Sequence, residues 1–142
     1  MREDICTSFN QLLWHDSKLI SFELSPKGDR RYDIAFDLKL VTNPQPDNYD
    51  WRKAKLEIQQ CTLVQMELDL LGIQLCDGDI ATALCEIASE TDLQGAQIQT
   101  FISPEDDNMP HQLLKFSIVL VPPGGEITII AESFNLRVEE PV

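Results

Sequence analysis

Strict alternation of apolar and polar side chains from residue 32 to residue 40 constrains the fold more than any other feature of the chain. The apolar positions of this segment are Tyr32, Ile34, Phe36, Leu38 and Leu40. Successive side chains of a β-strand point to opposite faces, so such a segment has one buried side and one solvent-facing side. The pattern therefore predicts an antiparallel sheet that is covered on one face only.

Similar alternation predicts further strands along the chain. They are residues 18–24, 51–59, 97–102, 111–121 and 127–138. Turn residues at 26–29 and at 122–125 join two pairs of neighbouring strands as β-hairpins. In the last segment the inward-facing parity changes once, between Ala131 and Ser133, which predicts a β-bulge at that point.

Two segments fit both a helix and a strand. In residues 62–75, alternation at Val64, Met66, Leu68 and Leu70 competes with a helical stripe at Val64, Leu68, Leu71 and Leu75. The alternation is the longer match and favours a strand. Residues 80–89 have helical spacing with Asp79 available as an N-cap, but their neighbours in sequence are strands, which favours a strand here too.

A short helix precedes the strands. Its apolar face consists of Ile5, Phe9, Leu12 and Leu13, which predicts a helix from Ile5 to Leu13. We therefore expect a mainly β fold at the margin of α+β, with this helix followed by about seven or eight antiparallel strands in a sandwich or a partly closed barrel. A chain of 142 residues without a linker or an internal repeat is expected to form one domain over residues 1–142.

The formal net charge of −13 is distributed unevenly. Residues 1–55 contain nine basic and nine acidic side chains, whereas residues 56–142 contain fifteen acidic side chains and only two basic ones, Lys115 and Arg137. Such a field repels nucleic acid and anionic membranes and attracts basic proteins. We therefore expect no nucleic-acid or membrane partner. The charge serves either solubility or the binding of a basic partner protein, for which an exposed acidic loop is the candidate segment: Glu105, Asp106 and Asp107.

The N-terminal residues and the cysteines indicate a cytoplasmic protein. Glu3 and Asp4 stand where a signal peptide would have basic residues, and no apolar run approaches the ~20 residues of a transmembrane helix. The four cysteines lie among apolar residues and form no C-x-x-C pair: Cys6, Cys61, Cys76 and Cys85. They are expected to be buried thiols rather than zinc ligands or disulfides, and no cofactor is expected.

The segment Trp14-His15-Asp16 contains one of the two histidines. His15 beside Asp16 has the composition of a general base with its orienting carboxylate. Adjacent side chains in an extended segment point to opposite sides, however, so we favour a structural junction between the helix and the first strand. In this interpretation Trp14 buries its ring, and Asp16 accepts backbone N–H groups that fix the turn. A metal site that combines His15 with His111 has no ligand spacing to support it, so we assign no catalytic and no metal-binding residue.

Residues 9–70 resemble the small β-rich bacterial proteins grouped as immunity protein 50-like. The likeness lies in the segment LWHDSKLISFEL with its Trp14-His15-Asp16, in the strand YDIAFDLKL that follows, and in KAKLEIQQC after Trp51. In that family a W-H-D segment near the N-terminus leads into a meander of strands. The resemblance implies a non-catalytic protein that neutralises a co-encoded toxin by binding it, and nuclease toxins are commonly basic.

Three classes of function follow from these observations. The first is a non-catalytic cytosolic interaction domain, of immunity type, that binds a basic protein through its acidic C-terminal region. The second is a small-molecule-binding β-barrel protein or an enzyme, with a cavity lined by polar side chains such as His15, Tyr32 or His111. The third is a structural or assembly subunit that pairs edge strands with itself.

Overall fold

Eight strands and three short helices form the described part of the chain, which comprises residues 2–28, 32–43, 50–75, 78–95, 113–122 and 124–139 of a computed structural model. The helices are α1 (Arg2–Asn10), α2 (Leu70–Leu75) and α3 (Glu90–Gly95). The strands are β1 (Lys18–Pro26), β2 (Tyr32–Asn43), β3 (Asp50–Cys61), β4 (Leu63–Leu68), β5 (Ile80–Ile87), β6 (Leu114–Leu120), β7 (Gly125–Ala131) and β8 (Ser133–Val138). The predicted mainly β class with a short N-terminal helix is confirmed, in the sandwich-like form: within these ranges the strands make two sheets and no closed barrel.

Both sheets are four-stranded and antiparallel. The first has the order β1-β2-β3-β8 and the second the order β4-β7-β6-β5. The alternating positions of β2 face the second sheet, where Ile34, Phe36, Leu38 and Leu40 are at most 3% exposed. They form one core with the apolar faces of β5, β6 and β7. The helix α1 adds the fully buried Phe9 to this core.

Two paired strands pass from one sheet into the other. The chain runs from β3 into β4 through Thr62, and from β7 into β8 through Glu132. Pairing continues across this corner, because Thr62 N donates to Ile130 O (2.8 Å) and Glu132 N donates to Gln59 O (3.2 Å). The register of the two paired strands shifts by one residue at this corner, from Gln59 opposite Ser133 to Leu63 opposite Ile130, and Gln60 has a positive φ of 55 there. The irregularity predicted between Ala131 and Ser133 is therefore present where the chain changes sheet, with the extra residue on the opposing strand.

Residues 62–75 contain both of the elements that their pattern allows. Alternation holds through β4, but the strand prediction is wrong from Leu70 onward, where α2 begins. Asp69 separates the two, since its carboxylate Oδ1 accepts a hydrogen bond from Gly72 N (2.9 Å) and so caps the helix. The strand favoured for residues 80–89 is confirmed by β5.

Helix α3 has no counterpart among the sequence predictions. Ser89 and Asp92 form a capping box: Ser89 Oγ accepts from Asp92 N (3.1 Å), and Asp92 Oδ2 accepts from Ser89 N (2.9 Å). These bonds and the Lys115 ammonium lower the pKa of Asp92. The S-x-x-D spacing is the signal that could have revealed the helix. The strand predicted at residues 97–102 lies outside the described residues.

Substitution of Gly125 tests the packing of β7 against β4. Gly125 has φ +112, and a Cβ at this position would overlap the backbone carbonyl of Glu67. Gly28 also has a positive φ, +92, but a Cβ there would meet no atom within 4 Å. We expect Gly28→Ala to lower the free energy of unfolding by about 1–2 kcal/mol, the cost of the strained backbone alone. Gly125→Ala should lower it by about 2–5 kcal/mol, because steric overlap is added. Equal losses in urea unfolding would contradict this packing.

Candidate functional site

The turn after α1 is built around the indole of Trp14. Its Nε1 donates to the Phe9 carbonyl oxygen (2.8 Å), which also accepts from Leu12 N (3.2 Å). In a continuing α-helix the Phe9 carbonyl oxygen would accept from Leu13 N. Here it accepts from Trp14 Nε1 and Leu12 N, and α1 ends at Asn10 rather than at the predicted Leu13. Trp14 is 4% exposed, and its ring lies 4.6 Å from that of Phe9. The predicted burial of the Trp14 ring is confirmed, and its N–H is satisfied.

Ser17 fastens the same turn to the first sheet. Its side chain is fully buried, and its Oγ donates to Leu13 O (2.7 Å) while it accepts from Val41 N (2.9 Å). A buried hydroxyl is stable when both of its roles are satisfied in this way. Ser17 could not be identified from the sequence, because its Oγ accepts from a backbone group 24 residues away.

Residues 10–19 cover one edge of the second sheet. The Asn10 side-chain amide bonds the backbone of β5 twice, accepting from Cys85 N (2.7 Å) and donating to Cys85 O (2.9 Å). Further along the same edge, Ile80 N donates to Ser17 O (2.7 Å), and Asp16 N donates to Ile80 O (3.1 Å). An uncovered edge strand exposes backbone donors and acceptors to other chains, and these contacts remove that exposure from β5.

His15 and Asp16 come closer together than the sequence analysis predicted. His15 Nε2 lies 3.7 Å from Asp16 Oδ1, because Asp16 has φ +69 and the segment is not extended. Asp is among the residues that tolerate this left-handed conformation. The predicted role of its carboxylate as a cap for backbone N–H groups stays a prediction.

The surroundings of His15 suit a structural contact. Its Nδ1 lies 3.1 Å from Ala81 O, and since a carbonyl only accepts, this nitrogen carries the hydrogen. The His15 side chain is 77% exposed. Beside it a cleft of about 320 Å³ is lined mainly by apolar residues and by Asn10, whose amide is already bound to Cys85. Tyr32, the other described residue expected to line a ligand cavity, is 47% exposed.

An acidic cleft opens toward the other edge of the second sheet, the edge formed by β4. We use this name for a surface depression of about 730 Å³ between β4, β6 and β7. Its carboxylates are Glu67, Asp69 and Glu126, and its apolar lining includes Leu68, Leu70 and Leu120. None of the ion pairs among the described residues involves these three carboxylates.

Two carboxylates of the acidic cleft face each other directly across the sheet. Glu67 of β4 and Glu126 of β7 are partners in the strand register, and both side chains are exposed on the outer face. Like charges in this position destabilise a sheet by up to about 1 kcal/mol. Leu70 lines the same cleft, and Leu70 (70%) and its neighbour Leu71 (66%) on α2 are the two most exposed large apolar side chains described. The site therefore combines unpaired negative charge with exposed apolar surface.

The acidic cleft was not among the predicted sites. The imbalance of residues 56–142 indicated negative charge in this half of the molecule, but the opposition of Glu67 and Glu126 depends on the pairing of β4 with β7. The predicted acidic loop of Glu105, Asp106 and Asp107 lies outside the described residues, as does His111. In the part that the structure describes, no three His, Cys, Asp or Glu side chains are grouped as metal ligands would be.

The cysteines that the structure describes are buried free thiols, as expected: Cys6, Cys61 and Cys85. Burial raises the pKa of Cys61 to about 12. Burial and the adjacent Cys6, whose Sγ lies 3.1 Å away, raise the pKa of Cys85. Nucleophilic chemistry requires the thiolate, so neither residue is suited to it near neutral pH.

Comparisons with known proteins found no matching family model, no matching curated protein and no matching solved structure. No helix among the described residues is long and apolar enough to cross a membrane.

Two substitutions of Asp16 separate its backbone role from its side-chain role. Glycine adopts φ +69 without strain, whereas alanine does not. If the left-handed backbone is what the junction needs, Asp16→Gly should retain most of the stability, and Asp16→Ala should lower it by about 1–2 kcal/mol. If the carboxylate also caps the turn, thermal unfolding will show a loss in both variants.

The buried thiols predict an alkaline loss of stability. Cys61 has an ordinary thiol pKa of 9.0 when unfolded and about 12 when folded, so its stabilising contribution is complete below pH 9 and declines above it. At about one pH unit above the unfolded value, the loss should be roughly 1 kcal/mol. Urea unfolding at neutral and alkaline pH measures it, and Cys61→Ala should show a shallower decline than the native chain. Identical pH profiles of the two proteins would contradict this assignment.

Proposed function

We propose that the chain is a non-catalytic protein-interaction domain that binds a basic partner protein at its acidic cleft. The opposition of Glu67 and Glu126 across the β4–β7 pair carries this proposal. The two carboxylates repel each other in the unbound protein, and an arginine or lysine of a partner would relieve that repulsion. Binding of a basic side chain would therefore remove an electrostatic repulsion that is present in the unbound protein.

The apolar part of the site suggests what else the partner contributes. Leu70 is exposed in the cleft and Leu71 follows it on α2, and exposed apolar side chains with a charged rim are typical of protein interfaces. A segment with a few apolar side chains flanked by basic ones would cover the leucines and pair with the carboxylates. Such a segment is amphipathic and basic.

The overall charge would guide a basic partner to this face. The net charge of −13 accelerates the approach of a positively charged protein, and this acceleration declines with added salt. The resemblance of residues 9–70 to immunity protein 50-like proteins implies a specific partner, a toxin that the bound domain neutralises. We propose this immunity-type role, with a basic toxin as the partner and with the loop of Glu105, Asp106 and Asp107 strengthening the attraction.

A pair of isosteric substitutions tests the acidic cleft. The double variant Glu67→Gln/Glu126→Gln removes the two opposed charges, and the control Glu23→Gln/Glu139→Gln removes two exposed charges from outside the second sheet. The probe is a synthetic amphipathic peptide with leucine on one helical face and arginine on the other, and its binding is followed by fluorescence anisotropy at several salt concentrations. We expect the cleft variant to lose about tenfold more affinity than the control, and its affinity to depend less on salt. Equal losses in the two variants, or binding by the native chain that is indifferent to salt, would contradict the proposal.

The same variant should be more stable than the native chain. Removal of the Glu67–Glu126 repulsion is expected to raise the free energy of unfolding by about 0.2–1 kcal/mol, and the control should change it less. Chemical denaturation at low salt measures this difference. A gain in stability together with a loss of binding distinguishes an interaction site from a structural one.

A further inference from the structure

The free edge of the first sheet carries a second interaction surface. Strand β1 pairs with β2 on one side. On its other side, the described contacts are confined to its first residues, where Lys18 bridges to Asp79 and Leu19 N donates to Gly78 O (2.9 Å). Beyond Leu19, no described strand pairs with this side of β1.

Apolar side chains remain exposed along this edge. Phe22 lies opposite Phe36 and Leu24 opposite Ile34, so both point to the core face of the sheet, yet they are 43% and 48% exposed. Ile20 is 56% exposed. The second sheet does not cover this margin of the first one.

The other three edges of the sandwich differ from β1. Residues 10–19 cover β5, as described above. The core-facing side chains of β4 and β8 are packed against the core, namely Val64, Met66, Leu68, Phe134 and Leu136, except for Val138 at the end of β8, which is 38% exposed. An edge strand with uncovered backbone groups and exposed apolar side chains is the usual template for pairing with another strand. Strand β1 is the described edge that meets both conditions.

The charges on the chain favour a second copy as the occupant of this edge. Two chains of net charge −13 repel each other, so they can approach only through a surface where charge is balanced. Residues 1–55, which include β1, have nine basic and nine acidic side chains, and β1 itself has one of each, Lys18 and Glu23. A basic partner would instead be drawn to the acidic cleft on the other sheet.

We propose that two copies of the chain pair antiparallel through residues 20–24 of β1, about a two-fold axis at Phe22. Phe22 then lies opposite the partner's Phe22 and Ser21 opposite the partner's Glu23, and Ile20, where the register of β1 with β2 shifts, is aligned with the partner's Leu24. An axis at Glu23 would oppose two carboxylates, and an axis at Ser21 would place Leu24 opposite the partner's Lys18. The register at Phe22 pairs apolar residues with each other and separates like charges. It joins the two four-stranded sheets into one continuous sheet.

The size of the contact predicts a weak and reversible dimer. Leu19 N already donates to Gly78 O, so pairing with a second chain begins no earlier than residue 20. The two-fold axis at Phe22 applies the same limit to the partner, so the paired segment is residues 20–24 of each chain. Five paired residues on each chain bury less than the roughly 1,200 Å² of a stable interface. The dimer should therefore accumulate only at protein concentrations of about 0.01–1 mM.

Sedimentation velocity over that concentration range tests the proposal. We expect the native chain to shift from the 16.1 kDa monomer toward twice that mass as concentration rises. Phe22→Lys places two ammonium groups opposite each other on the axis and should leave a monomer throughout. The control Val138→Lys adds the same charge to β8, at the other edge of the first sheet, and should dimerise as the native chain does. A native chain that stays monomeric to about 1 mM, or equal effects of the two lysines, would overturn the proposal.

A second pair of variants tests the register and does not alter a core-facing residue. Ser21→Lys would meet the partner's Glu23 and should strengthen the dimer, whereas Ser21→Glu would oppose it and should weaken the dimer. Both effects should diminish in high salt. If Phe22→Lys fails to fold, as circular dichroism would show, these two variants decide the question alone. Because the acidic cleft is on the other sheet, failure of either proposal leaves the other standing.

Discussion

The passage of two paired strands around one corner determines where every edge of the sandwich lies. The bonds from Thr62 to Ile130 and from Glu132 to Gln59 continue the pairing where the chain changes sheet, so that β3 is paired with β8 before the corner and β4 with β7 after it. One continuous series of pairings therefore leads from β1, through this corner, to β5. Strands β1 and β5 are its two ends, and the first residues of β1 join these ends through the bridge from Lys18 to Asp79.

The two ends of this series differ in how far other described residues cover their backbone edges. Strand β5 is covered by the end of α1 and the turn after it, where Asn10, His15, Asp16 and Ser17 bond to its backbone. Beyond Leu19, no described strand pairs with the outer side of β1, and apolar side chains are exposed at its margin. The W-H-D segment is thus explained by the covering of β5: Trp14 ends the helix, Asp16 reverses the chain, and His15 bonds to an edge carbonyl. No catalytic role is needed to account for these three residues.

Most strands could be predicted from the sequence, because the alternation of each strand depends only on its own residues. The positive φ of Asp16 and the exposure of Phe22 could not, because each depends on what lies beside it in space. Phe22 and Phe36 have the same pattern in sequence, and only the second lies under the opposite sheet. The acidic cleft could not be predicted from the sequence either, for the same reason. Glu67 and Glu126 are 59 positions apart in sequence (126 minus 67), and the register of β4 with β7 is what places them opposite each other.

Amide hydrogen exchange in dilute solution tests most directly whether the chain covers one end of its sheet series and leaves the other open. The account predicts that the amides of Ile80 and Cys85 exchange slowly, because they donate to Ser17 and to Asn10. It also predicts that alternate amides of residues 21–25 exchange rapidly, since they point away from β2. Rapid exchange at Ile80 and Cys85, or slow exchange at every amide of residues 21–25, would contradict it.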